Sequence, residues 1–171
     1  MKYESKSCAL LKTTTDRVRL ICEDLLGMVQ LDAATVTKDS VAPLQGIYIW
    51  RFKVDGRPAY VGVALGKKGL QQRIVGQHLC VSYKKSVFRK AIEQEACIGS
   101  GQESVDFIRS HFTLAFLSCP EDSPAIVDAA EALLIAAINS RYNKIGRNCQ
   151  NVNKSQNSKY QNQEKGFFNK A

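Results

Sequence analysis

Histidine, tryptophan and proline are scarce in this chain, with two, one and four residues among 171. The six cysteines, at 8, 22, 80, 97, 119 and 149, include no Cys-x-x-Cys pair, and His78 and His111 add no ligand cluster. A zinc ribbon or finger is therefore poorly supported. No window approaches the roughly 18 consecutive apolar residues of a membrane helix, which argues against a spanning protein. The opening Met1-Lys2-Tyr3-Glu4-Ser5-Lys6 is charged and lacks the apolar core of a secretory signal. The expectation is a cytoplasmic protein with reduced thiols, several of them buried. No internal repeat of useful period is visible.

What is present fits an ordinary single domain. Hydrophobic residues make up 44% and charged residues 23%, near the globular norm. A chain of 171 residues leaves little room for two full cores. Lysine and arginine total 24 against 16 acids, a formal charge of +8. That surplus on a small protein points to a polyanionic partner, whether DNA, RNA or an anionic membrane surface.

Apolar periodicity marks the elements. Val18, Ile21, Cys22, Leu25, Leu26 and Val29 recur at helical spacing and predict an amphipathic helix over 15–29. Two runs rich in aromatic and β-branched residues follow, at 46–52 and 59–63, separated by Val54-Asp55-Gly56-Arg57-Pro58. Asp-Gly followed by proline is turn chemistry, so the pair reads as a β-hairpin. Helices are predicted over 70–79, 84–97 and 103–110, and a buried strand over 111–117. Ser123-Pro124 then opens an apolar helix running to Ile138. Beyond Asn143 the chain turns polar and basic, a composition suited to disorder or to ordering on a polyanion. The resulting architecture is α+β: a helical extension over 1–44, a central domain over 45–143 and a tail over 144–171.

The informative segment is Gly46-Ile47-Tyr48, then eleven intervening residues, then Tyr60-Val61-Gly62. Each triplet alone is a common strand fragment. On two arms of one hairpin, however, Tyr48 and Tyr60 can project as cross-strand neighbours. Arg73 stands on the helix that follows, His78 near its end, and Glu131 in the late apolar helix. In this order the elements resemble those of the GIY-YIG nuclease family, with Tyr60-Val61-Gly62 as a variant second triplet and Asn143 beyond the late helix. The resemblance covers roughly residues 45 to 143. It implies a small three-stranded antiparallel sheet flanked by helices, in agreement with the hairpin and third strand read from the residues themselves.

The resemblance also implies a chemistry: metal-dependent hydrolysis of DNA phosphodiester bonds by an endonuclease. That reaction needs an activated water, stabilisation of charge on phosphorus and help for the departing 3′ oxygen. A carboxylate such as Glu131 suits Mg²⁺ (or Mn²⁺), which takes only one or two protein carboxylates and keeps several waters. Arg73 offers a planar, permanently charged fork for a phosphate. By resemblance Tyr48 is the general base or orients the water, and Tyr60 assists; a tyrosine base needs its pKa lowered, which Arg73 and a metal could do.

Each residue also has a plainer reading. The tyrosines could be ordinary half-buried strand residues, Arg73 a solvated helix arginine, and Glu131 one half of a structural ion pair. His78 stands five residues after Arg73, which on a regular helix turns it ~140° away. Gln77 holds the aligned position, and only Gly76 or a frayed last turn would return His78 to a catalytic place. His111 reads as structural. Asn143 either ties down the end of the late helix or contacts the site.

DNA contact is expected from Lys67 and Lys68 in a glycine-flanked loop, from Lys84, Lys85, Arg89 and Lys90, and from Lys144, Arg147, Lys154, Lys159, Lys165 and Lys170 in the tail. Two other classes stay open: a nucleic-acid-binding module on the same fold without turnover, and a protein-interaction domain. The N-terminal helix and the tail are the segments through which a homodimer, or a clasp around DNA, would form.

Overall fold

The two aromatic-rich runs do pair. In the computed structural model, which describes residues 6–144, Gly46–Phe52 (β2) and Pro58–Ala64 (β3) form an antiparallel hairpin. Phe112–Ser118 (β4) pairs antiparallel with the other side of β2. The predicted three strands gain a fourth, Leu31–Asp32 (β1), which sets Leu31 opposite Leu114 and Asp32 opposite Thr113. Two residues are too few to show a period in the sequence. The sheet order is β1-β4-β2-β3, so β2 is central and β3 is an edge.

Among the described residues, five α-helices flank the sheet: Lys6–Gly27 (α1), Gly69–Arg73 (α2), Val87–Ala96 (α3), Gln102–His111 (α4) and Pro124–Ile138 (α5). Alternation along β2 sends successive side chains to opposite faces. Tyr48, Trp50 and Phe52 meet Phe88, Ala91 and Ile92 of α3, Ile108 of α4, and Leu70 and Ile74. Ile47 and Ile49, with Val61 and Ala115, face Ile21 and Leu25 of α1 and Val127, Ala130 and Leu134 of α5. The sheet is thus sandwiched between helices, and α1, in the segment read as an extension, supplies core. A bidentate ion pair between Arg17 and Asp122 (both contacts 2.7 Å) joins α1 to the loop before α5.

Boundaries shift for local reasons. Ser86 accepts the Arg89 amide at 3.2 Å and caps α3, so residues 84–85 precede the helix. The helix expected over 70–79 divides: after α2 the chain runs through a π turn, Ile74–His78, closed by Leu79 N–H donating to the Ile74 carbonyl at 3.0 Å. His111 ends α4 instead of starting the strand. Cys22 and Cys119 are buried thiols. No helix among the described residues is long and apolar enough to cross a membrane. The basic residues of the tail beyond Lys144 lie outside the described residues.

Candidate active site

Tyr48 stands opposite Gly62, and Trp50 opposite Tyr60, on the β2–β3 ladder. The two tyrosines are therefore diagonal neighbours on one face, their ring centroids 6.2 Å apart. A Cβ on Gly62 would fall 2.3 Å from Tyr48 Oη and 2.9 Å from Tyr60 Cε1. The glycine of the second triplet thus makes the space that the phenol of the first one fills. Tyr48 is only 1% exposed, whereas Tyr60 is half-buried at the edge.

His78 joins them from beneath. Its Nε2 lies 2.7 Å from Tyr48 Oη and its Nδ1 2.7 Å from Ser86 Oγ. Gln77 is indeed Arg73's helical neighbour, accepting from Nη1 at 2.8 Å. The π turn supplies the departure from regular helix that His78 needed: the wider turn carries the imidazole inward, onto Tyr48, while Arg73 stays exposed.

Glu131 belongs to α5, beneath the opposite face, yet it lies beside the buried stripe of that helix and reaches the free edge of β3. There the Val63 backbone hydrogen-bonds to its carboxylate, and Arg73 Nε donates to the Val63 carbonyl at 3.3 Å. The guanidinium and the acid are thereby held on one edge residue. Two positions back, Asn143 receives Val61 N–H and donates to Val61 C=O, both at 2.7 Å. With Ser140 also donating to Oδ1 at 2.5 Å, Asn143 is committed to pinning the chain after α5 against β3. Its expected role as a nucleic-acid contact gives way to this tie, the other reading of the residue.

Burial dominates the proton affinities. It raises the Tyr48 hydroxyl well above the usual phenol range, more than the Arg73 charge can offset. Arg73 by itself therefore does not give Tyr48 the lowered pKa expected of Arg73 and a metal together. Tyr60 is raised too, by burial first and then by the Glu131 charge, with Arg73 and a hydrogen bond from Tyr48 pulling the other way. Burial, then Arg73 and Arg89, depress His78 to about 3, so it is neutral. The Glu131 carboxyl is raised by burial and by Asp128, and lowered by Arg73 and the Val63 backbone.

The basic residues divide. Lys67 and Lys68 are exposed on the turn between β3 and α2 and line, with Gln72, Arg73 and Gln77, an open hollow of about 310 Å³. Lys84 and Lys85 are exposed before α3. Arg89 is 2% exposed, and its guanidinium donates to the carbonyls of Cys80 (2.6 Å), Tyr83 (2.8 Å) and Gly101 (3.1 Å) and to Ser104 Oγ (3.0 Å). It is a structural clamp, not the phosphate contact expected of it.

Sequence reasoning does not find Ser86, since an isolated serine eight residues beyond His78 looks like any other; its place three residues before Arg89 marks only a helix cap. Among the described residues, no group of three or more His, Cys, Asp or Glu side chains gathers as a metal cluster. The donors open to a hard cation are Glu131 and, one helical turn earlier, Asp128. No protein-family model, curated protein or solved structure was found to match the chain.

Proposed function

We propose that the protein is a divalent-metal-dependent DNA endonuclease of the GIY-YIG type, hydrolysing phosphodiester bonds at a single site. The observation that carries this reading is the meeting of Arg73 and Glu131 on Val63, close enough to Tyr48 and Tyr60 for both charges to shift the two phenols. The antiparallel β4-β2-β3 core with helices on both faces is also what the resemblance implies.

In this reading Arg73, exposed beside the Lys67–Lys68 turn, binds the scissile phosphate and balances the charge that grows on its oxygens. Of the two tyrosines, Tyr60 is the partly exposed one. Its hydroxyl orients the attacking water, whose proton passes to solvent. Tyr48, sealed beneath it, holds Tyr60 in place and is itself held by His78. Attack forms the new P–O bond, the P–O3′ bond breaks, and the 3′ oxygen leaves to be protonated from solvent.

The residues present fit a hard cation. Glu131 is a half-buried carboxylate whose burial and neighbour Asp128 both disfavour its charge, a situation that a bound cation relieves. When bound there, Mg²⁺ or Mn²⁺ would neutralise the leaving oxygen.

A plasmid-nicking assay on purified protein, with and without Mg²⁺, tests the reading. Cleavage that needs Mg²⁺ and disappears in Glu131→Gln is the expected result. DNA binding without Mg²⁺-stimulated cleavage would reduce the protein to a binding module on this fold.

A further inference from the structure

We propose that Ser86 sets the tautomer of His78, and so directs a hydrogen-bond chain outward from the start of α3 through His78 and Tyr48 toward Tyr60. The assignment follows from counting protons. Ser86 is 3% exposed, and among the described residues its hydroxyl has two partners: the Arg89 amide at 3.2 Å and His78 Nδ1 at 2.7 Å. A backbone N–H only donates, so Ser86 Oγ accepts from Arg89. Its own hydrogen then has one destination, Nδ1. The opposite tautomer would place two donors on Ser86 Oγ and strand a buried hydroxyl hydrogen, which folded proteins avoid.

With Nδ1 accepting, neutral His78 carries its proton on Nε2 and donates it to Tyr48 Oη, 2.7 Å away. Tyr48 must then turn its own hydrogen away from His78, and the tyrosine beside it is Tyr60, ring centroids 6.2 Å apart. The chain therefore points toward Tyr60, and the Tyr60 hydrogen is left for the site. On the nuclease reading, on which this part rests, the arrangement leaves the Tyr60 hydroxyl free to orient the attacking water while Tyr48 and His78 keep their protons. Ser86 is a positioning residue in this scheme. Arg89 fixes it from outside by clamping the Cys80 and Tyr83 carbonyls.

The tautomer is read by nitrogen NMR of the imidazole rings in the full chain near neutral pH. Only two histidines contribute, and His111 is an internal reference. Its Nδ1 donates to the Phe107 carbonyl at 2.9 Å, so in neutral form it should show the opposite tautomer. His78 is expected to carry hydrogen on Nε2. Ser86→Thr keeps both the cap and the donor and should preserve that state. Ser86→Ala removes the hydrogen given to Nδ1 and should release the preference, giving a mixture of the two tautomers. Wild-type His78 protonated on Nδ1 overturns the inference without any variant, and so does a folded Ser86→Ala protein that keeps His78 wholly in the Nε2–H form. The measurement involves no cleavage, so an inactive protein with Nε2–H would count against the nuclease reading alone.

Discussion

Tyr48 and Gly62 face each other across the β2–β3 ladder, and the phenol of the first takes the place of a side chain on the second. The two triplets that stand out in the sequence are therefore the two halves of one steric fit. Gly62→Ala puts a Cβ 2.3 Å from Tyr48 Oη and should cost ~1–3 kcal/mol, the usual penalty of overpacking. Gly66→Ala, where nothing lies within 4 Å, is the control. Urea denaturation of both proteins is decisive, since equal midpoints would mean that the close approach is not a constraint.

Burial of neutral His78 gives stability a pH dependence of definite sign. The unfolded imidazole takes up a proton near 6.5 and the folded one only near about 3. Between those values the unfolded state binds more protons, so stability falls as pH falls, by on the order of 4 kcal/mol across the window. In its upper half, paired carboxylates such as Asp122, which Arg17 holds below the usual range, contribute little. Thermal unfolding of wild type against His78→Gln should show a flatter curve for the variant there; parallel curves would place the titrating group elsewhere.

Glu131→Gln keeps the shape of the side chain and removes the charge. It should lower Mg²⁺-dependent nicking by at least ~10²-fold, the scale of removing one electrostatic stabiliser of a transition state, while DNA affinity changes little. Tyr60→Phe should be about as damaging. Full activity in either variant would remove that residue from the chemistry.

The exposed lysines and the buried arginine should separate in one experiment. Replacing Lys67 and Lys68 together by alanine is expected to reduce the salt slope of DNA binding by up to ~2, about 0.9 for each phosphate no longer neutralised. Arg89→Lys should leave that slope alone and lower the melting temperature, because the lysine cannot serve the four acceptors of the clamp. A changed slope with unchanged stability would restore Arg89 to the binding surface.

Asn143 acts on β3 as a strand partner would, with one acceptor and one donor on Val61. Asn143→Ala should cost ~1–3 kcal/mol through unpaired backbone. It should also speed hydrogen exchange at the Val61 amide more than at the Ile49 amide in the sheet centre. Unchanged protection at Val61 would show that the tie is dispensable.

The hairpin, the third strand and the late helix are legible in the sequence because period and turn chemistry agree in each. The features that assemble the site are less so. A π turn leaves no periodic signature, so the spacing of Arg73 and His78 looks unfavourable until the wider turn brings the imidazole inward. Arg89 reads as a surface residue because arginine usually is one; only the tertiary arrangement gathers carbonyls around it. Glu131 is readable as an acid out of place on an apolar helix. Its meeting with Arg73 at Val63 depends on backbone groups, which no side-chain pattern reveals.

The edge of β3 has two duties, since Asn143, Glu131 and Arg73 occupy backbone groups that an added strand from another molecule would otherwise take. Stripping those side chains lays bare a ready template for self-association. A variant at any of the three that precipitates or forms multimers would thus have become insoluble through its sheet, and its silence in a cleavage assay would carry no message about turnover. Soluble, monodisperse protein is the condition for reading chemistry from this edge.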